Sequence, residues 1–427
     1  MASAAEGGDA SLGRFWLGVG IALLALAPAV LVRLTGVSLG PVLSAGLFGL
    51  AILAAGFLLS WGAESAEGQI SSGLIIALVA MITVLPEYAV DIYYAWQAGR
   101  NPDSNYVHYA AANMTGANRL LVGLAWPLLV LVNWSKTREK AIDLAPVNAV
   151  EITYLLLPTI YAFTILLRDR IGIFDAVVLI AMFAAYLWRV SRLPKAREEE
   201  EDEEPGLAAA LERLPVGRQW AIMGALTITA ATVIFLSAEP FAEAMVASGR
   251  VLGIDEFLLI QWLAPLASEA PAVTVALLFV VSRRAAAGLT TMISDKINQW
   301  TLLVGMLPLA MSVGAGALTA LPLDARQHEE FFLTAAQSLF GIVLLLRLRL
   351  NLTAAAALAG LFAVQVTLAF TFRNDEARTI ETLTWLAWGY IGLAAVIAAL
   401  NVSRLKLLWS GLIPGSKDAA SPVSAPR

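Results

Sequence analysis

Twelve stretches of this chain are each long and apolar enough to cross a bilayer, which leaves it few possible folds. They lie near residues 14–33, 41–61, 70–97, 109–133, 149–167, 173–191, 219–247, 256–281, 288–315, 331–348, 353–372 and 383–401. About 20 residues at 1.5 Å per residue span the ~30 Å of hydrocarbon as a helix. Lipid offers no hydrogen bonds to the backbone, so a single run of this length must satisfy its own N–H and C=O groups as a helix. The short alternating strands of an outer-membrane barrel are not visible. Composition agrees: 59% of residues are hydrophobic and 14% charged, where a soluble domain carries roughly 25% charged residues. Mean hydropathy is +0.74. The predicted class is an all-α polytopic membrane protein with about 12 transmembrane helices in a lipid bilayer.

The same composition excludes several functions. The net charge of −5 is spread along the chain, so no nucleic acid partner is expected. With no cysteine, disulfides, thiolate metal sites and a cysteine nucleophile are ruled out. His108 and His328 are the only histidines, and both stand beside polar loop residues. No Gly-rich phosphate loop with its lysine is present, so an ion gradient is the expected energy source. His-Glu-x-x-His and Gly-x-Ser-x-Gly motifs are absent as well, so the chain is not expected to be an enzyme or to need a cofactor. Residues Met1 to Gly13 lack a basic n-region, and the first apolar run is expected to stay as a span.

The most polar stretch, Arg192 to Pro205, contains a run of seven acidic residues interrupted by none but acids, Glu198 to Glu204. It reads as a solvated linker. The expected organisation is an N-terminal tail and extra helix over 1–40, a first repeat over 41–191, an acidic cytoplasmic linker over 192–218, a second repeat over 219–372, and an extra helix with a cytoplasmic tail over 373–427. Placing the linker in the cytoplasm puts 18 Lys and Arg on that side and 8 on the other. The positive-inside rule then places both termini in the cytoplasm, with the plasma (inner) membrane as the expected location.

Two segments look like copies. The first reads Gly62-Ala-Glu64-Ser-Ala-Glu67, an apolar run, then Thr83-Val-Leu-Pro86-Glu87. The second reads Ser237-Ala-Glu239-Pro-Phe-Ala-Glu243, an apolar run, then Leu266-Ala-Ser268-Glu269-Ala-Pro271. A carboxylate inside a span is costly and is a functional candidate by default. Five spans per repeat is an odd number, so the second copy is expected to sit upside down relative to the first. That is the arrangement of two inverted five-helix repeats, with one extra helix at each end.

Thr83, Glu87 and Asp91 are spaced i, i+4, i+8 and share a helix face. Pro86 removes a backbone donor and is expected to free a carbonyl near Thr83 or Ile82. A carboxylate, a hydroxyl and a carbonyl make an all-oxygen set that suits hard cations. In the second copy Gln261, Pro265 and Glu269 share a face, with Ser268 adjacent. Asp91 lies nearer its span end and reads as a vestibule or interface residue. Glu64, Glu67, Glu239 and Glu243 stand at or near span ends and read as structural. A polar helix follows each glutamate: Asn113-Met-Thr-Gly-Ala-Asn118-Arg119, and Ser294-Asp295-Lys296-Ile-Asn298. Each continues into Leu-Leu-Val-Gly. Ser294, Asp295 and Asn298 can face one cavity; the alternative for Asp295 is a salt bridge to Lys296, and for the asparagines interhelical hydrogen bonding.

These residues resemble the α-repeats of the cation/Ca²⁺ exchanger superfamily, which includes Na⁺/Ca²⁺ and H⁺/Ca²⁺ antiporters. The likeness runs over roughly residues 41–372 and is carried by Gly62-Ala-Glu64, Thr83 to Glu87, Ser237-Ala-Glu239, Ser268-Glu269 and Ser294-x-x-x-Asn298. It implies that Glu87 with Thr83, Glu269 with Ser268, Asn118, and Ser294 with Asn298 bind the transported cation. This sequence departs from the family pattern at Ile82-Thr-Val-Leu-Pro-Glu87, at Pro265-Leu-Ala-Ser-Glu269, and at Met114, where a serine is usual. Arg119 and Lys296 add positive charge near the expected site, either facing away or marking a shift to Na⁺/H⁺ exchange. The expected function is a secondary antiporter for Ca²⁺, Na⁺ or H⁺ by alternating access. A monovalent cation/proton antiporter is one alternative, and a non-transporting cation sensor or scaffold is another.

Overall fold

A computed structural model describes residues 2–67, 84–193, 211, 214–406 and 408, with side chains from residue 12 onward and, in the second helix, up to residue 62. Among these residues, eleven helical stretches are long and apolar enough to span a membrane. They coincide with eleven of the twelve apolar runs. The remaining run, 70–97, lies partly outside the described residues; its described part begins at Leu85.

The helices are α1 (Ala2–Thr35), α2 (Pro41–Glu67), α3 (Leu85–Arg100), α4 (Tyr106–Leu120), α5 (Trp126–Thr137), α6 (Ala149–Leu166) and α7 (Ile173–Val190). After the acidic linker come α8 (Val216–Leu252), α9 (Glu256–Val281), α10 (Ala285–Asn298), α11 (Val304–Ala315), α12 (Ala325–Leu344), α13 (Leu352–Thr371) and α14 (Glu376–Leu400). A π turn at Leu121–Ala125 joins α4 to α5 in one span, and another at Gln299–Leu303 joins α10 to α11. Polar side chains mark several starts. Asp324 accepts from the N–H groups of Arg326 and Gln327, Asn351 from Ala354, and Asp375 from Arg378, which satisfies donors a helix start leaves unpaired. Gly253, with φ of 63°, closes α8 in the left-handed conformation that glycine adopts at low cost.

The chain forms two compact units, and each draws on both repeats. Unit 1 holds residues 1–117, 194–278 and 310–318; unit 2 holds 118–193, 279–309 and 319–427. In unit 1, α2 lies along α8, with α1 and α3 also packed on that pair. In unit 2, α12 is the central helix: 83% of its apolar window is buried, against 22% for α14. It packs on α14 and α6, while α13 packs on α5.

Four short strands in unit 2 record the duplication. β1 (Ala141–Asp143) follows the π-interrupted span of the first repeat, and β3 (Leu321–Pro322) follows that of the second. β2 (Arg170–Ile171) and β4 (Arg349–Asn351) each come one helix later. β1 pairs antiparallel with β4, and β2 with β3. Helix α12 separates β3 from β4, so these lie at its opposite ends. β1 is therefore at the opposite end from its counterpart β3, and the two repeats run in opposite directions through the membrane, as the odd span count predicts.

The recurring Leu-Leu-Val-Gly has a packing reason. A Cβ on Gly123 would stand 2.4 Å from the Phe362 ring of α13, and one on Gly305 would stand 3.3 Å from the Ala176 carbonyl of α7. Each repeat's glycine thus receives the last helix of the other repeat, and only hydrogen leaves room in the tighter case.

Candidate cation site

Unit 1 buries an acidic cluster. Glu87 lies in the first turn of α3, and Pro86 occupies a first-turn position. There the missing proline N–H costs nothing, since helix starts leave such donors unpaired. The expected kink and freed carbonyl at Thr83 or Ile82 lie outside the described residues, as does Thr83 itself. Glu269 sits mid-helix in α9, between Pro265 and Pro271. Glu87 and Glu269 are 1% and 4% exposed, and the two carboxyls lie close enough to act on each other.

Three further polar side chains join this cluster. Asp91, one turn beyond Glu87, is fully buried and accepts from Asn113 Nδ2 at 2.9 Å; Glu269 lies near enough to act on it electrostatically. This corrects the reading of Asp91 as a vestibule residue: one helical turn is too little to carry it out of the core that holds Glu87. Gln261 is fully buried two turns before Glu269. A Cβ on Gly116 would stand 1.9 Å from the Gln261 carbonyl, so α4 and α9 touch backbone to backbone there. Asp91 Oδ2, Asn113 Oδ1 and both Gln261 amide atoms have no hydrogen-bond partner. Buried oxygens without donors are costly in a protein interior, and they are ligands a hard cation can use. Ser268 is also buried, but its hydroxyl donates back to the Ala264 and Pro265 carbonyls, each at 3.3 Å. Among the described residues, no three Asp, Glu or His side chains form a metal cage; amides and carboxyls together supply the oxygens.

Gly56 of α2 explains how the two acidic helices come together. A Cβ there would stand 2.5 Å from Pro271 Cγ and 3.7 Å from Pro86 Cγ. The prolines flanking both glutamates converge on one glycine.

The remaining expected site residues belong to unit 2. Lys296 Nζ donates to the Asn118 carbonyl at 3.1 Å and to Asn118 Oδ1 at 2.7 Å. It also sits 4.8 Å from the centre of the Trp300 ring, a cation–π contact. Arg119 is fully buried and pairs with Glu330 at 2.5 Å. Ser294 bonds Tyr186 at 2.8 Å and donates to the Thr290 carbonyl at 3.0 Å. Asn298 is buried and Asp295 half-buried. Sequence reasoning missed Asn113 and set Asp91 aside, though the i, i+4 spacing from Glu87 already pointed to the latter. It also missed Glu330, for which a buried Arg119 needing a counter-charge was the available signal. Each π turn begins within three residues of Asn118 or Asn298, a distortion frequent at functional sites. Glu239 pairs with Arg33 and Glu243 accepts from Tyr93 at 2.8 Å.

No curated protein matches this sequence. The family described as sodium/calcium exchanger protein matches residues 39–192 and 223–371. Among solved structures, the chain is similar to the H⁺/Ca²⁺ exchanger CAX, with 38% identity, 94% of this chain and 97% of that chain covered, and a TM-score of 0.84. The sodium-calcium exchanger NCX_Mj matches at 19% identity over 77% of this chain and 99% of its own, with a TM-score of 0.51. YfkE matches at 12% identity over 82% of this chain and 98% of its own, with a TM-score of 0.60. The last two show a shared fold alone. The family match over both repeats, with the CAX likeness over nearly the whole length, establishes that this chain belongs to the sodium/calcium exchanger family and is a cation/Ca²⁺ antiporter.

Proposed function

We propose that the protein exchanges Ca²⁺ for protons by alternating access, with Glu87 and Glu269 as the groups that carry either one. The observation that carries this reading is the meeting of two buried glutamates, one from each repeat, whose flanking prolines converge on Gly56. A proton held between their carboxyl oxygens would occupy the place a divalent cation would take. Two protons or one Ca²⁺ would each neutralise both carboxylates, so the two occupants compete for the same charge. Asp91 and Asn113 would add oxygens on one side, and Gln261 on the other, toward the six to eight that Ca²⁺ takes. Neutralisation matters for movement: an uncompensated buried charge is strongly unfavourable, and a paired one much less so. Inward-open and outward-open forms would therefore interconvert readily only when the pair is filled, which couples the two fluxes. The likeness to the H⁺/Ca²⁺ exchanger CAX supports the proton as counter-ion.

Flux in proteoliposomes tests this. Acid-loaded vesicles holding the purified protein should take up Ca²⁺ as their lumen becomes alkaline, and Glu87→Gln should do neither. Ca²⁺ uptake by the variant at the wild-type rate would overturn the assignment. Silence of the folded wild-type protein in every gradient would favour a sensor or scaffold.

A second reading has its own support. Lys296 donates to both oxygens of Asn118, a residue the family resemblance offers as a cation ligand. A tethered ammonium there favours monovalent cation/proton exchange, in which Na⁺ rather than Ca²⁺ competes with the proton. Under this reading Lys296→Ala changes which ion is carried. Unchanged flux and selectivity in that variant would remove it.

A further inference from the structure

Tyrosines close the end of unit 1 that carries the α3–α4 loop. Tyr93 and Tyr94 stand on α3, Tyr106 and Tyr109 on α4. The Tyr94 ring centre lies 6.0 Å from that of Tyr109 and 6.2 Å from that of Tyr106. Tyr106 also meets Tyr93 at 6.2 Å and Tyr109 at 5.7 Å. Tyr94 comes three residues after Asp91, and Tyr109 four residues before Asn113. Each is thus one turn nearer the loop than the Asp91–Asn113 hydrogen bond. The rings lie between the acidic cluster and the loop end of the unit, and Tyr94 and Tyr109 are both buried.

Packing alone does not need these phenols. Three of the hydroxyls reach helices of the second repeat. Tyr93 donates to Glu243 of α8 at 2.8 Å, Tyr94 to the Ala242 carbonyl at 3.4 Å, and Tyr109 to Glu256 in the first turn of α9. Glu256 is also paired with Arg250 at 2.6 Å, and the Arg250 side chain is 68% exposed. The matched sequence positions of the second repeat carry nothing similar. Counted from Glu269 as from Glu87, Tyr93 and Tyr94 correspond to Val275 and Ala276. Counted back from Asn298 as from Asn118, Tyr106 and Tyr109 correspond to Ala286 and Leu289. The duplicated helices therefore form without these tyrosines, which belong to one end of the protein.

Close backbone approaches fix one wall of this closure. A Cβ on Gly99 of α3 would stand 2.0 Å from the Met311 carbonyl, and one on Gly314 would stand 2.1 Å from the Trp96 carbonyl. The tyrosine end of α3 is thereby held against residues 310–318. Helix α4 meets α9 in the same way at Gly116 and Gln261, seven residues beyond Tyr109, roughly 10 Å along the axis. Nearer the loop, the Tyr109–Glu256 bond ties the same two helices together.

We propose that Tyr109 and Glu256 form a latch on the passage from the loop end of unit 1 to the acidic cluster. While the bond holds, the rings bar the ion. When it breaks, α4 swings about Gly116 and carries Tyr106 and Tyr109 away from Tyr93 and Tyr94. A hydrogen bond to a carboxylate is strong enough to bias such an opening, and the ion pair with Arg250 keeps the released Glu256 satisfied. Tyr109 is a positioning residue here and does not touch the ion. The inference rests on the reading of the acidic cluster as the ion site.

Thiol labelling of the full-length protein in nanodiscs tests the latch, because the chain has no cysteine and one introduced thiol is the only target. Asn113→Cys places that thiol beside Asp91, behind the rings. A small cationic methanethiosulfonate should label it slowly. Tyr109→Phe keeps the ring and loses the hydroxyl, and should speed labelling by about tenfold or more, the effect of losing one hydrogen bond to a charged group. Glu256→Ala should give the same rise from the other side of the bond, and the two changes together should add nothing further. Ala336→Cys, buried in α12 of unit 2, reports general loosening and should stay protected in both backgrounds. Unchanged labelling of Asn113→Cys in Tyr109→Phe, additive rises in the double variant, or an equal rise at Ala336→Cys would each overturn the proposal. Labelling reads access and not transport, so a failed latch leaves the Glu87–Glu269 exchange reading standing, whereas absent flux in the wild type removes that reading without altering the labelling rates.

Discussion

Both units bury charge, but they do so in opposite ways. Among the described residues, the buried charged side chains of unit 1 are Glu87, Asp91 and Glu269, all acidic. Unit 2 buries Arg119, Arg189 and Lys296 together with Glu151, Asp175, Glu329 and Glu330. Several of these have partners within the unit: Arg119 with Glu330, Arg168 with Asp175 at 2.5 Å, and Lys296 with the two oxygens of Asn118. Among the described residues, unit 1 offers its acids no buried base. Charge neutralised inside the protein serves the fold, since breaking one partner leaves an uncompensated ion. Acid collected without a base needs protons or a cation to complete it, and that is what a transport site requires.

The contrast breaks most completely at its acidic pole. Glu87→Gln or Glu269→Gln should abolish ion flux while leaving the fold intact, because glutamine keeps the shape and removes the charge; reconstituted flux alongside a thermal melt checks both. A basic-pole test should do the reverse. Glu330→Gln takes a buried carboxylate away from Arg119 and Arg326 and should destabilise the protein by about 3–5 kcal/mol, read as a lowered unfolding temperature in detergent. Next in size is Gly56→Ala, whose methyl would meet the Pro271 ring at 2.5 Å. Overpacking of this kind costs about 1–3 kcal/mol, and it should weaken flux as well by pushing the two glutamate helices apart. The smallest effect is expected at Lys296→Ala. If unit 2 is self-contained, Ca²⁺ flux should change by less than about tenfold; a switch of the ion carried would instead move weight to monovalent exchange.

Much of this contrast is legible in the sequence, and the limits are instructive. Span positions follow from apolar length alone, because the bilayer permits so few backbone solutions. The Glu87 and Glu269 pair follows from the repeated carboxylate–proline neighbourhood. Inversion follows from counting spans, and the β1–β4 and β2–β3 pairings bear it out. What the sequence does not reveal is which helix meets which. Asn118 and Asn113 are five residues apart and equally polar, yet Asn113 meets Asp91 while Asn118 accepts Lys296. Helix rotation decides this, and rotation depends on close approaches such as Gly116 on Gln261. Arg119 shows the same limit. Its partner Glu330 lies more than 200 residues away, and nothing local to either residue announces the other.

If the unit 1 carboxyls hold the exchanged ion, they hold it in competition with protons. Titration calorimetry of Ca²⁺ with the purified protein, carried out in buffers of different ionisation enthalpy, tests this most directly. The wild type should bind Ca²⁺ and release protons as it does so, and Glu269→Gln should lose both signals. Ca²⁺ binding by Glu269→Gln with unchanged affinity and proton release would contradict the account.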